Sequence, residues 1–176
     1  MSSALVLSLL LSAPQAVEPG PPQPQVVVTT SAGAFVIRLL PERAPKHVAH
    51  FLKVVKAGGF DGTTFHRLIA GGIIQGGDPL SKDPAKAASY GTGGLGLLKA
   101  EFSDRPFVRG TVAAARRPSS PDSGGVQFFV VVRREEKAAR CTILEVSQQH
   151  LGEIHRELQI LGAPPRLQQF QQAVEQ

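Results

Sequence analysis

The sequence has very few of the residues that build disulfide frameworks, cysteine metal sites and base-stacking surfaces. It contains one cysteine, Cys141, one tyrosine and no tryptophan among 176 residues. A single cysteine excludes an intramolecular disulfide framework and a multi-cysteine metal site. The shortage of large aromatic rings argues against a surface that stacks nucleic-acid bases.

Charge and long apolar runs are also limited. Charged residues make up 19% of the chain and hydrophobic residues 42%, which predicts one globular domain with a full core. No apolar run is long enough to cross a bilayer, so we expect no stable membrane insertion. The net charge is +5, but the basic residues are scattered, so we expect no nucleic-acid partner. A basic surface that steers acidic partners explains the charge more simply.

The amino-terminal segment 1–24 has a composition of its own. An apolar run from Ala4 to Leu11 is followed by small residues through Ala16 and then by a proline-rich spacer. This order resembles a secretory signal peptide, although no lysine or arginine precedes the run. We therefore expect an exported protein, periplasmic or extracellular. The alternative is an N-terminal tail, disordered or helical, on a cytoplasmic protein.

The chain from residue 25 to residue 58 predicts a hairpin followed by a helix. Two β-rich runs, 25–30 and 35–40, flank a glycine-containing bend. After them, apolar residues recur with a period of about 3.6, between Pro45 in the first turn and Gly58 as a C-terminal stop. The stripe predicted to face the core is Ala44, Val48, Phe51, Leu52 and Val55. His47 and His50 lie off this stripe, and we expect both to be solvated.

Short strands and glycine loops fill most of the rest. The predicted strands are TTFHRLI (63–69), GIIQGG (72–77), GTVAAA (110–115), VQFFVVV (126–132) and CTILEV (141–146). A second helix is predicted over 150–161. Short strands with two helices favour a closed or nearly closed β-barrel. We place this domain at 25–162, followed by a glutamine-rich segment, 163–176, that is a tail or a diverged final strand.

Four separate motifs resemble those of cyclophilin-type peptidyl-prolyl cis-trans isomerases. They occur in the family's order and near its spacing, between about Gln25 and Val132. The motifs are FHRLIAGGIIQGGD (65–78), GTGG (91–94) with Glu101-Phe102, GTVAAAR (110–116) and QFFV (127–130). The resemblance implies a mainly β fold, a closed eight-stranded antiparallel barrel capped by two α-helices, with the last strand uncertain in this chain. It also implies X–Pro isomerisation without a metal or a cofactor, on proline-containing peptides or folding proteins, and we expect a monomer.

The resemblance also implies roles for individual residues. Arg67 would donate a hydrogen bond to the proline nitrogen of the twisted bond, and Gln75 would buttress Arg67. From the residues alone, Arg67 has a different interpretation, an ion pair with Asp78 or Glu101. Alternation places Phe128 in the ordinary core, on the face opposite Phe129. The implied substrate-binding residues are Phe65, Ile69, Gly72, Ile73, Gly91, Ala115, Arg116, Gln127 and Phe129.

Several positions depart from the family pattern, and they cluster at the site. Gly72 stands where the family has a pocket aromatic, and Ala114 where it usually has methionine. Region 133–145 matches the family so loosely that no role is carried onto its residues. Two functions therefore stay open: an isomerase with reduced turnover, or a catalytically poor module that binds proline peptides or serves as a chaperone-like scaffold.

Overall fold

A computed structural model describes residues 23–132, 143–146 and 167–173, the last two ranges as backbone only. Three sequence predictions lie outside the described residues: the signal-like segment almost entirely, the helix at 150–161, and Cys141. No helix in the described part of the chain is long and apolar enough to cross a membrane. Its elements are β1 Gln25–Thr30, β2 Gly33–Arg38, α1 Pro45–Lys56, β3 Arg67–Leu68, β4 Ile73–Gly76, β5 Thr111–Ala114, β6 Phe128–Val131, β7 Ile143–Val146 and β8 Leu167–Ala173.

The first two strands form the predicted hairpin. β1 and β2 pair antiparallel, with Val28 opposite Phe35 and Val26 opposite Ile37. These four side chains are buried, because alternation along each strand sends every second residue to one face. Gly33, at the turn, has a φ of +113°, which a residue with a side chain rarely adopts.

Helix α1 also forms as predicted. Pro45 occupies the first turn, and Gly58 follows the helix with a φ of +64°. The stripe faces the core, with Leu52 partly buried and the other members buried. The prediction for His47 was wrong: its side chain is only 4% exposed, because its ring is bonded to a distant carboxylate, that of Glu101.

The described strands hydrogen-bond in the order β3-β4-β6-β5-β7-β2-β1-β8. All the pairings are antiparallel, and together they confirm the mainly β content. The predicted strands at 63–69, 72–77, 110–115 and 126–132 are shorter in the structure than in the sequence pattern, and β7 covers the described part, 143–146, of the strand predicted at 141–146. Within the glutamine-rich segment, Leu167–Ala173 pairs with β1, so this part is a strand rather than a tail.

The interior holds two apolar clusters on opposite faces of β6. The main cluster contains Phe128, which meets the rings of Phe51, Phe60 and Phe65 nearly edge-on at 5.9–6.1 Å. The smaller cluster contains Phe107, Ala113 and Val131, with Ile73 and Phe129 packed against it. The predicted separation of Phe128 from Phe129 is therefore confirmed.

Candidate functional site

Arg67 and Gln75 face each other across two paired strands. They are register partners in the β3–β4 ladder, so the backbone fixes their spacing. The Arg67 Nη1 donates a hydrogen bond to Gln75 Oε1 over 3.1 Å. The Arg67 side chain is exposed, so the guanidinium keeps its solvation while one of its donors is oriented.

The Gln75 amide is itself held in place from behind. Its Nε2 donates to Gln127 Oε1 over 2.9 Å, and Gln127 Nε2 donates to the carbonyl oxygen of Gly93 over 2.6 Å. Gln127 is only 1% exposed, and its hydrogen bonds pair its buried polar atoms. The result is a chain of hydrogen bonds that runs from the glycine loop to the guanidinium and limits the rotamers of both glutamines.

The glycine loop is fixed by a buried carboxylate. Asp78 has no exposed surface, and its oxygens accept hydrogen bonds from the backbone N–H groups of Gly91, Gly93 and Leu80. A Cβ at Gly93 would lie 2.3 Å from Asp78 Oδ1, so this close approach requires glycine. Asp78 therefore holds the loop that carries the Gly93 carbonyl.

The alternative interpretation of Arg67, an ion pair with Asp78 or Glu101, is wrong for this structure. The Asp78 carboxylate accepts hydrogen bonds from the backbone of the glycine loop. Glu101 accepts hydrogen bonds from the backbone N–H groups of Lys46 and His47, at the start of α1, and from the His47 ring. Within residues 23–132, Arg67 forms no ion pair, and its exposed guanidinium bonds to Gln75.

An apolar floor lies beside this polar pair. Phe129 is the register partner of Gln75 in the β4–β6 ladder. Its ring stacks on Phe107 with a centroid separation of 5.9 Å and an interplanar angle of 17°. Phe129 is only partly buried, and Ile73 packs against the same cluster. An apolar surface and an oriented cationic donor therefore stand side by side.

Arg67, Gln75 and Phe129 line one cavity, whose volume is about 520 Å³. The cavity brings together seven of the predicted residues: Arg67, Gln75, Ile73, Gly91, Ala115, Arg116 and Phe129. Four further residues line it that the predicted set lacked: Leu95, Ala114, Arg117 and Pro118. Ala114 lies inside the motif at 110–116, and the other three lie within two residues of a motif, which is the signal in the sequence that points to them.

The other predicted residues lie elsewhere. Phe65 is fully buried in the main cluster, and Gln127 lies behind Gln75 rather than on the cavity wall. Ile69, the residue after β3, is 43% exposed and lies outside the lining. Gly72 is buried, and its carbonyl accepts the Val132 N–H where β4 begins and β6 ends.

Two contacts that involve rings lie beside the cavity lining. The guanidinium carbon of Arg116 lies 5.7 Å from the centre of the Phe102 ring, a cation–π contact that holds the arginine at the rim. His66 packs edge-on against Tyr90, and burial lowers its pKa below the ordinary value of 6.5. At neutral pH the positive charge at this rim therefore comes from arginines.

The arrangement suits one kind of chemistry. A charged donor with several rigid N–H groups, placed beside an apolar slot, can stabilise an electron pair that develops on a ring held in that slot. Among the described residues no group of three or more histidine, cysteine or carboxylate side chains could hold a metal ion.

Comparison with known proteins gives one consistent result. The family model for cyclophilin-type peptidyl-prolyl cis-trans isomerases matches residues 25–161. A probable peptidyl-prolyl cis-trans isomerase of Brucella suis is 39% identical over 136 residues, which are 74% of this chain and 69% of the relative.

Solved structures share the fold. A cyclophilin-type isomerase of Cryptosporidium parvum, crystallised in the presence of the dipeptide Ala-Pro, matches with a TM-score of 0.69 at 21% identity, covering 86% of this chain and 99% of that one. The cyclophilin AquaCyp293 of Hirschia baltica matches with a TM-score of 0.67 at 23% identity, covering 86% and 74%.

Proposed function

This chain belongs to the cyclophilin-type peptidyl-prolyl cis-trans isomerase family, whose activity is rotation of X–Pro bonds, and we propose that the cavity beside Arg67 is where this reaction occurs. The observation that carries the proposal is the hydrogen-bonded chain Gly93–Gln127–Gln75–Arg67, which ends beside the Phe129 floor. It presents one oriented cationic donor next to an apolar surface.

The mechanism follows from what an X–Pro bond needs in order to rotate. Amide resonance sets a barrier of roughly 18–20 kcal/mol, and rotation breaks that resonance. As the bond twists, the proline nitrogen becomes pyramidal and regains an electron pair. An N–H of Arg67 donates to that pair in the twisted state and gains little from the planar one, which is the condition for lowering a barrier.

The remaining lining residues bind rather than react. The proline ring rests on Phe129 against Ile73, where its removal from water favours binding. Gly91, Ala115 and Arg116 line the same cavity, and in our proposal the peptide backbone runs alongside them. The Ala-Pro dipeptide used with the Cryptosporidium relative supports proline-containing peptides as the ligand class.

A second candidate is a module that binds proline peptides with little turnover. Gly72 favours it, because the family's aromatic wall is absent at that position of the sequence. The retained pair Arg67 and Gln75 favours turnover. We therefore propose an isomerase with reduced turnover, and a measured rate on a short X–Pro peptide decides between the two candidates.

The central test replaces the donor. Hydrogen bonds to charged groups contribute about 1.5–3 kcal/mol, so Arg67→Ala should slow isomerisation by roughly 10- to 100-fold. Arg67→Lys keeps the charge but loses the rigid fork, and we expect it to recover only part of the rate. The thermal midpoint should stay unchanged, because Arg67 is exposed. A folded Arg67→Ala protein with full activity would refute the assignment.

We propose in addition that the sheet closes into an eight-stranded barrel and that the protein acts as a monomer. The shared fold of the cyclophilin relatives and the single antiparallel sheet of the described strands support the first proposal. Light scattering coupled to size-exclusion chromatography tests the second, since a dimer would have twice the mass of the chain.

A further inference from the structure

Three arginines line the candidate active-site cavity, and no acidic residue does so within the described part of the chain. Arg67 is the first residue of β3, and Arg116 and Arg117 come shortly after β5 in the chain. The rest of the lining is apolar or small apart from Gln75. This is a concentration of one charge sign on a small concave surface.

Among residues 23–132, no ion pair neutralises these positive charges of Arg67, Arg116 and Arg117. Two carboxylates are engaged elsewhere, Asp78 with the glycine loop and Glu101 with the start of α1. Within the described residues, the three guanidinium groups therefore give the cavity lining an excess of positive charge.

The two arginines after β5 are also held in place. Arg116 lies over the Phe102 ring at 5.7 Å. The backbone N–H of Arg117 donates to Ser123 Oγ over 2.6 Å, and Ser123 is 1% exposed. The Arg117 Nη1 lies 3.8 Å from where a Cβ on Gly96 would stand, which places its guanidinium against the turn that follows Leu95.

One of the three is already assigned to the reaction. Arg67 donates a hydrogen bond to Gln75. In the proposed mechanism, the Arg67 guanidinium also donates to the proline nitrogen of the twisted bond. Arg116 and Arg117 line the same cavity and have no part in the proposed rotation step. A side chain of the peptide near the proline, rather than the proline itself, would reach them.

We propose that Arg116 and Arg117 select X–Pro substrates that carry a carboxylate side chain, aspartate or glutamate, within three residues of the proline. The inference rests on the proposed function, because it names the substrate class of that same cavity. A carboxylate accepts two parallel N–H bonds from a guanidinium, and opposite charges across the groove also speed encounter.

The test compares peptides that differ in one side chain. Glutamate, glutamine or lysine is placed two residues before the proline in one series and two residues after it in another. Exchange NMR measures kcat/KM without a coupling protease. In at least one series we expect the glutamate peptide to exceed the glutamine peptide by about fivefold, since an exposed ion pair supplies up to about that factor.

Matched variants locate the effect. The ratio of glutamate to glutamine kcat/KM should fall toward one in Arg117→Gln and in the Arg116→Gln, Arg117→Gln double variant. It should persist in Arg109→Gln, which removes the same charge from an exposed residue outside the cavity. Added salt should reduce the ratio in the wild type, because screening weakens exposed pairs.

The outcomes are distinguishable. Turnover of the glutamine peptide with equal rates for glutamate, glutamine and lysine in both series would overturn this proposal and leave the proposed function standing. A preference for glutamate that survives in the double variant would also overturn it. No turnover of any peptide would overturn the proposed function itself, and the substrate preference with it.

Discussion

The two faces of strand β6 make an instructive comparison. Phe128 is 1% exposed and surrounded by the rings of three other phenylalanines. Phe129, its neighbour in the chain, has one stacked ring below it and an open cavity above. The same type of side chain packs the core on one face and, on the other, lines the cavity in which we propose that proline binds.

The two faces differ in what holds their side chains in place. The Phe128 face is held by close apolar packing, which favours the folded state but presents nothing to a ligand. The Phe129 face carries Arg67 and Gln75, held by hydrogen bonds rather than by packing. Substitutions on one face should therefore change the free energy of unfolding, and substitutions on the other should change turnover.

The largest expected effect separates the two phenylalanines. Phe128→Ala should cost about 3–5 kcal/mol of unfolding free energy, because it leaves a cavity in the main cluster. Phe129→Ala should cost less stability and should weaken binding of proline peptides. Urea denaturation and kcat/KM, measured on both variants, give the comparison. Equal stability losses with equal activity losses would contradict the division between the faces.

The second effect concerns Glu101, whose carboxylate accepts hydrogen bonds from the start of α1. Burial acts to raise the pKa of Glu101, but hydrogen bonds from the His47 ring and from the backbone N–H groups of His47 and Lys46 outweigh burial and lower it below 4.5. A carboxyl with a lowered folded-state pKa adds stability above its unfolded pKa and loses it as the pH falls through the folded value.

Glu101→Gln should therefore destabilise the protein by about 1.5–3 kcal/mol at pH 7, the usual contribution of hydrogen bonds to a charged group. The difference from the wild type should shrink as the pH falls below 4.5. Glu42→Gln, at an exposed glutamate before α1, is the control and should show neither effect. A pH-independent difference would contradict the assigned role of the carboxylate.

The third effect tests Gln127 as a positioning residue. Gln127→Leu leaves the Gln75 amide without its acceptor, so we expect kcat to fall about threefold to tenfold with little change in KM, a loss of up to about 1.4 kcal/mol. The same change in a Gln75→Ala background should have no further effect on kcat. An additive loss in the double variant would show that Gln127 acts by another route.

The smallest expected effect concerns how well the proline ring is bound. Gly72→Phe restores the aromatic residue that the family has at this position, one residue before the lining residue Ile73, and we expect it to raise kcat/KM by about twofold to fivefold, a fraction of the value of a fully buried phenylalanine. The gain should vanish in an Arg67→Ala background, since a better slot does not replace the donor. A loss of thermal stability without any gain would contradict the expectation.

Local pattern predicted the hairpin, helix α1 and the opposite faces of Phe128 and Phe129, because those depend on periods of 2 and 3.6 residues. It was wrong about His47, whose burial depends on a carboxylate 54 positions away. The position of Gln127 behind Gln75 rests on a contact over 52 positions. Short-range periodicity carries no information on either contact.

The residues of the cavity also divide into those that the sequence motifs indicated and those that they did not. Motif resemblance indicated Arg67, Gln75 and Phe129, whose spacing is set by neighbouring strands. It did not indicate Leu95 or Pro118, which reach the cavity because of how two loops fold over its rim. Phe65 belongs to a binding motif in sequence and to the main core in the structure.

One measurement tests the central claim, that X–Pro peptides bind on the Phe129 face. Isotope-labelled protein is titrated with a short proline peptide and followed by NMR, through backbone amides and the arginine Nε–H signals. We expect the shifts to concentrate at Arg67, Gly91, Ala115 and Phe129, the residues that line the cavity. Saturable shifts elsewhere, with these signals unmoved, would contradict the claim.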